Sequence, residues 1–235
     1  MIDKTVATCR EAVAQVFDGA SIMIGGFGDP GVPGQLIEAL REQGATDLFV
    51  IHNGVGSGDF SLGGLILDGR VRKVMASFPN YPGARAFRDL YLKGEMELEL
   101  VPQGTLLERI RAAGAGLGGF YTPTAAGTEL AEGKETRLID GVVHVFETPL
   151  HADFAFIKAY RGDRLGNLSY RMAMRNFNPM MATAGKVVIA EVEQIVPLGG
   201  LPPEEIHTPG IFIDHVVQAE RHPRLFDPPK KGGAK

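Results

Sequence analysis

The chain has 235 residues, 44% of them hydrophobic and 22% charged, with a formal net charge of −4. That length supports a sizeable core, as one large domain or a domain with a subdomain, and the charge balance points to neither nucleic acid nor a membrane surface as partner. No apolar run approaches the ~20 residues needed to span a bilayer, the start Met1-Ile2-Asp3-Lys4 lacks the layout of a signal peptide, and the lone Cys9 excludes an intrachain disulfide, so a cytoplasmic location in a reducing compartment is expected.

Asp3 is placed to cap a first helix whose face carries Val6, Cys9, Val13 and Phe17 at helical spacing. Cys9 on that stripe reads as a buried, inert thiol. Asp18-Gly19 signals a turn, and Ile22-Met23-Ile24 is a short apolar run of the kind found in a strand buried on both faces. Gly25, Gly26, Gly28 and Gly31 then crowd into seven residues before Pro33, which suits a first helical turn. Leu36, Ile37 and Leu40 give that helix one apolar stripe. Strand, glycine loop and helix thus follow one another, and the helix start is expected to leave N–H groups for negative charge.

Three readings of this loop stay open. Gly26, Gly28 and Gly31 fit G-x-G-x-x-G, but the dinucleotide fingerprint also needs an acidic residue at the end of the next strand, and Asp47 opens that strand. A tight packing turn is the second. A loop shaped for another phosphorylated or acyl-carrying ligand is the third.

The strand Asp47–Ile51 ends in His52-Asn53 and a second glycine-rich loop to Asp59. Asn53, at a strand's carboxyl end, is either a ligand contact or a turn former. Val71–Ala76 reads as a strand and Ala84–Leu92 as a helix with Phe87, Leu90 and Tyr91 inward. Met96 to Leu100 alternates, which points Glu97 and Glu99 to water. Thr105 and Glu108 fit a capping box for a helix Leu106–Ala113. Gln103 would then be held between a strand end and a capped helix, either as a solvated loop amide or as an oxyanion donor. A glycine-rich loop fills Ala113–Thr124, and Asp140-Gly141 signals a hairpin within Arg137–Phe146. Asp153–Tyr160, Val187–Val196 and Ile211–Val217 read as later strands, with a turn at Gly162–Asn167 and a charged and polar run at Arg171–Asn178. These units imply an α/β fold, a largely parallel sheet flanked by helices with a mixed or antiparallel hairpin portion. Residues 1–220 are expected to form a single domain and 221–235 a loose tail.

The segment Asp18–Pro33, an acidic-Gly start, three apolar residues, Gly-Gly-Phe and Gly-Val-Pro, resembles the glycine-loop signature of the family I CoA-transferases. Val101-Pro102-Gln103-Gly104-Thr105 is similar to the family segment whose glutamine lies in the active site. Gly54 departs from the usual Asn-Asn after the second strand, His52 stands where a small polar residue is usual, and Ala125-Ala126 departs from a Gly-Tyr. The family's Ser-Glu-Asn-Gly segment, which carries a nucleophilic glutamate, occurs nowhere in the chain. The resemblance therefore implies an A (alpha) subunit, closest to those that move CoA from succinyl-CoA to a 3-oxoacid such as 3-oxoadipate or acetoacetate. It implies a B subunit supplying the glutamate, an A2B2 heterotetramer, and a CoA thioester as substrate with no tightly bound cofactor. It assigns Gln103 and Asn53 to the catalytic site and Gly25, Gly26, Phe27, Gly28, Asp29, Pro30 and Gly31 to CoA or acyl binding. The six histidines show no close metal spacing, and no Walker or G-x-S-x-G motif occurs. A non-catalytic nucleotide- or acyl-binding module and an NAD-binding Rossmann oxidoreductase are the alternatives.

Overall fold

A computed structural model describes residues 2–219; the expected tail at 221–235 lies outside the described residues. The strands are β1 (Thr5–Val6), β2 (Ser21–Ile24), β3 (Leu48–Ile51), β4 (Val71–Ala76), β5 (Glu97–Leu100), β6 (Phe120–Thr122), β7 (Thr136–Ile139), β8 (Val142–Glu147), β9 (Ala152–Asp163), β10 (Leu168–Ser169), β11 (Gly185–Val196) and β12 (His215–Gln218). Helices α1 (Cys9–Val13), α2 (Gly34–Gln43), α3 (Ser61–Leu67), α4 (Arg85–Leu92), α5 (Gln103–Gly114) and α6 (Asn178–Met181) connect them. The large sheet runs β1-β12-β11-β9-β2-β3-β4-β5 and is parallel throughout that path, with β10 added antiparallel on β9. A separate antiparallel sheet runs β6-β8-β7. The expected α/β class, largely parallel with an antiparallel hairpin portion, is what the chain forms.

Alternation along the strands builds two cores. Ile22 and Ile24 face one apolar layer with Leu36, Ile37 and Leu40 of α2, while Met23 faces the other with Leu106 and Ile110 of α5. Helices therefore cover both faces of β2, and Ile22, Met23 and Ile24 are fully buried. The Asp140-Gly141 turn has positive φ at both central residues, 48° and 76°, as a two-residue hairpin with right-handed strand twist requires.

Several local expectations fail for identifiable reasons. Asp3 caps no helix; it accepts from Thr5 in an exposed turn, and Thr8 caps α1 through its side chain to Glu11 N at 3.1 Å. Phe17 falls beyond that short helix and is exposed. Tyr91 is also exposed, stacked on the buried Phe87 at 5.7 Å. The expected capping box is absent: α5 begins at Gln103 with Pro102 as its N-cap, Thr105 is buried in the first turn, and Glu108 pairs with Arg111 at 2.7 Å. The 113–124 stretch is in part the end of α5 and the strand β6. The last strand begins at His215, because a 3-10 turn occupies Gly210–Phe212.

Helix α3 has no counterpart among the expected elements. Its Gly63 and Gly64 suggest a loop, yet they serve packing: a Cβ on Gly63 would lie 2.6 Å from Gly58 O, and one on Gly64 2.4 Å from an Arg41 guanidinium nitrogen. Glu99 is not simply solvated either, since it pairs with Lys73 at 2.6 Å and Arg109 at 3.4 Å.

Cys9 is half-buried, and burial together with the Glu191 charge pushes its thiol up to about 12. Alkylation by iodoacetamide at pH 8 is expected to run roughly a thousandfold slower than for free cysteine, because so little thiolate is present. Mass spectrometry over a time course checks this; rapid labelling of the folded protein would refute the inert reading.

Candidate active site

Four neighbouring parallel strands end on the same edge of the sheet. β2 delivers the glycine loop, β3 delivers His52 and Asn53, β4 delivers Ser77, and β5 leads through Pro102 to Gln103 at the start of α5. Ligands gather at the carboxyl edge of such sheets because loops there converge without blocking one another.

Asn53 is the centre of this edge. Its backbone carbonyl accepts from Ser77 N at 3.1 Å and Phe78 N at 2.9 Å. Its Oδ1 accepts from Ser77 Oγ at 2.7 Å and from Gln103 Nε2 at 2.7 Å. Both acceptor positions of that oxygen are thus filled, and the side chain is held from two sides. Its Nδ2 makes no hydrogen bond to any described residue. His52 is buried, and its Nδ1 donates to Ile24 O at 2.8 Å, so the ring props the end of β2. Burial lowers its pKa against that hydrogen bond and keeps the imidazole neutral.

A cavity of about 850 Å³ opens over these groups, lined by Phe27, Gly28, Asp29, Asn53, Gln103 and Tyr81 among others. Phe27 and Phe78 are half-exposed at its mouth. Tyr81 donates to Gly56 O at 2.5 Å, and burial raises its pKa, so the phenol stays protonated. Of the residues singled out in the sequence, the structure brings Phe27, Gly28, Asp29, Asn53 and Gln103 to the cavity wall. Gly25, Gly26, Pro30 and Gly31 are not among its lining residues. A Cβ on Gly25 would sit 1.8 Å from Asn178 Oδ1, and one on Gly26 would sit 2.5 Å from Val32 Cγ2. Those glycines exist for intramolecular contact. Gly28, at φ 61° and with nothing closer than 4.0 Å to its Cβ position, faces open space.

The start of α2 is not open to a ligand anion. Gln35 N and Leu36 N both donate to Glu191 Oε2, at 2.9 and 3.0 Å, and Glu191 Oε1 is paired with Lys158 Nζ at 2.6 Å. The expectation of free N–H groups there is therefore corrected: a carboxylate of the chain itself occupies the place where a dinucleotide would put its pyrophosphate. Residue-by-residue reading missed Glu191, Lys158, Ser77, Tyr81 and Asn178. Glu191 did leave a signal, a lone carboxylate within the apolar strand Val187–Val192. Among the described residues no three His, Cys, Asp or Glu side chains gather as metal donors, and no helix is long and apolar enough to cross a membrane.

Residues 6–219 match the model of the coenzyme A transferase family. The chain belongs to that family. Among similar proteins, the A subunit of the 3-oxoadipate CoA-transferase of Pseudomonas putida is 55% identical over 217 residues, covering 92% of this chain and 94% of the relative. The A subunit of the probable succinyl-CoA:3-ketoacid coenzyme A transferase of Bacillus subtilis is 47% identical, covering 91% and 89%. In structure, the chain superposes on glutaconate coenzyme A-transferase from Acidaminococcus fermentans with a TM-score of 0.79 at 24% identity, over 92% of this chain and 76% of the other. It matches an acyl-CoA transferase from E. coli O157:H7, solved as a thioester complex with CoA, with a TM-score of 0.81 at 21% identity, spanning 96% of this chain and about half, 49%, of that one. At such identities the structural likeness carries the fold.

Proposed function

We propose that this chain is the A subunit of a cytoplasmic CoA-transferase that moves CoA from succinyl-CoA to a 3-oxoacid such as 3-oxoadipate or acetoacetate. The observation that carries the reading is the meeting of Phe27–Asp29, Asn53 and Gln103 in one cavity whose described wall contains no glutamate. In this reading a B subunit brings a glutamate, in a Ser-Glu-Asn-Gly segment, to the cavity mouth, and two A and two B chains assemble. Residues 1–220 act as one domain. The names of the relatives, each of them an A subunit, support a partner chain.

The chemistry asked of this chain is electrostatic. The partner's glutamate attacks the thioester carbonyl of succinyl-CoA, and CoA thiolate leaves as a mixed anhydride forms. The thiolate then takes the glutamyl carbonyl, releasing succinate, and the acceptor acid reverses the sequence. Each addition places negative charge on a carbonyl oxygen. Asn53 Nδ2 is the donor for that charge, since its Oδ1 is committed to Ser77 and Gln103. Gln103 holds Asn53 and keeps one further N–H for the same oxygen. Phe27 and Phe78 exclude water from the acyl group, and the Phe27–Asp29 backbone lines its path.

The reading is tested by assaying the purified chain alone and after reconstitution with a B subunit. The isolated chain is expected to give no transfer from succinyl-CoA, and the reconstituted pair is expected to give transfer to a 3-oxoacid with a native mass of two A and two B chains. Turnover by the chain alone, with partner excluded by mass spectrometry, would overturn it.

A further inference from the structure

The glycine loop reaches the cavity with one face only. Its other face is gripped by the segment that follows β10, and the grip converges on one side chain. Asn178 is completely buried. Its Oδ1 accepts from Lys158 N on β9 at 2.8 Å. Its Nδ2 donates to Gly31 O at 3.0 Å and to Met174 O at 2.8 Å. A backbone N–H can only donate and a carbonyl can only accept, so these partners fix the orientation of the amide. Two residues earlier, Asn176 Nδ2 donates to Pro30 O at 2.9 Å.

The glycines are matched to this grip. Gly25 does not have a positive φ, so its lack of a side chain is not a demand of the backbone. It is a demand of space, because Asn178 Oδ1 lies 1.8 Å from where a Cβ would be. A Cβ on Gly31 would lie 2.8 Å from the amide nitrogens of both Asn176 and Asn178. The loop thus leaves β2, passes over Asn178, presents Phe27, Gly28 and Asp29 to the cavity, and returns over Asn176 and Asn178 to enter α2.

We propose that Asn178, assisted by Asn176, is a positioning residue for CoA transfer: it sets the height of the Phe27–Asp29 backbone over Asn53. The inference rests on the transferase reading given above. Asn178 does not line the cavity and acts through the loop it holds. A loop displaced by ~1 Å would misplace the acyl group against the Asn53 donor, an error of the size that costs about a hundredfold in rate. Ground-state binding, spread over the whole CoA molecule, would change far less.

The test uses the assembled complex with its B subunit. Asn178→Ala is expected to lower kcat by about a hundredfold with KM for succinyl-CoA changed less than threefold. Asn176→Ala, at a partly exposed position with a single loop bond, is expected to lower kcat by about tenfold and to assemble normally. Gly25→Ala should be severely impaired in the wild-type background. In the Asn178→Ala background it should cost little more, because the atom it would strike is gone. Normal kcat per assembled complex in Asn178→Ala, or independent additive losses from Gly25→Ala and Asn178→Ala, would overturn the proposal. If Asn178→Ala fails to assemble, Asn176→Ala decides: normal kcat there overturns it as well. A wild-type complex with no transfer from succinyl-CoA to any 3-oxoacid would refute the transferase reading itself, which keeps the two failures distinct.

Discussion

Asn53→Ala in the assembled complex is expected to lower kcat by about 10²–10³-fold, the loss typical when one oxyanion donor is removed. The substitution deletes the amide nitrogen, and also the Oδ1 on which Ser77 and Gln103 converge at 2.7 Å each. Gln103→Ala is expected to cost less, roughly 10–100-fold, because Ser77 still holds Asn53 and the Nδ2 donor remains. KM should move little in either variant, since a ground-state carbonyl draws less on the donor than the charge that grows as the reaction proceeds. The double variant should lose little more than Asn53→Ala alone, because the two amides act as one unit. Steady-state kinetics on the four complexes measures all of this. Equal and additive losses would return Gln103 to an independent role as donor, and a normal kcat in Asn53→Ala would remove both amides from the chemistry.

The coupling of these two residues shows where sequence reading ends. Asn53 and Gln103 are each visible in the chain as a polar residue at a strand end, and Ile22-Met23-Ile24 and Asp140-Gly141 announce their structures through short-range pattern. Nothing in the spacing says that residues 53 and 103 share a hydrogen bond. That follows from the sheet order β2-β3-β4-β5, which sets the ends of β3 and β5 around Ser77, the residue just past β4. The capping box at Thr105 and Glu108 misleads because Pro102, with its fixed φ, starts α5 three residues sooner and brings Gln103 into the helix. Helix α3 is hidden for the opposite reason. Gly63 and Gly64 lower its local propensity, and the close approach of Gly58 and Arg41 decides in its favour. Four glycines in seven residues read as room for a ligand, yet most of that room is taken by Asn178, Asn176 and Val32. Amides and a carboxylate far downstream, Asn176, Asn178 and Glu191, complete the loop, and only the tertiary fold brings them there.

Glu191→Gln is the substitution expected to cost the most stability. Glu191 and Lys158 are both almost fully buried, with side chains 1% and 5% exposed. Breaking a buried ion pair by removing one partner typically costs about 3–5 kcal/mol, because the other charge is left without water or counter-ion. For a chain of this size that corresponds to a fall in Tm of roughly 6–20 °C. Glutamine can still accept from Gln35 N and Leu36 N, which donate to Oε2 at 2.9 and 3.0 Å. Loss of the α2 cap is therefore the smaller part of the effect, and the uncompensated Lys158 ammonium the larger. That division can be measured. Adding Lys158→Met to Glu191→Gln removes the stranded charge while retaining the backbone N–H that Lys158 gives to Asn178. The double variant should recover more than half of the lost stability in denaturant titrations. Its kcat should lie close to that of the wild-type complex, because the Asn178 grip on the glycine loop survives. Should the double variant be no more stable than Glu191→Gln, the cost lies in the helix cap, and the carboxylate is there to anchor α2 rather than to neutralise Lys158.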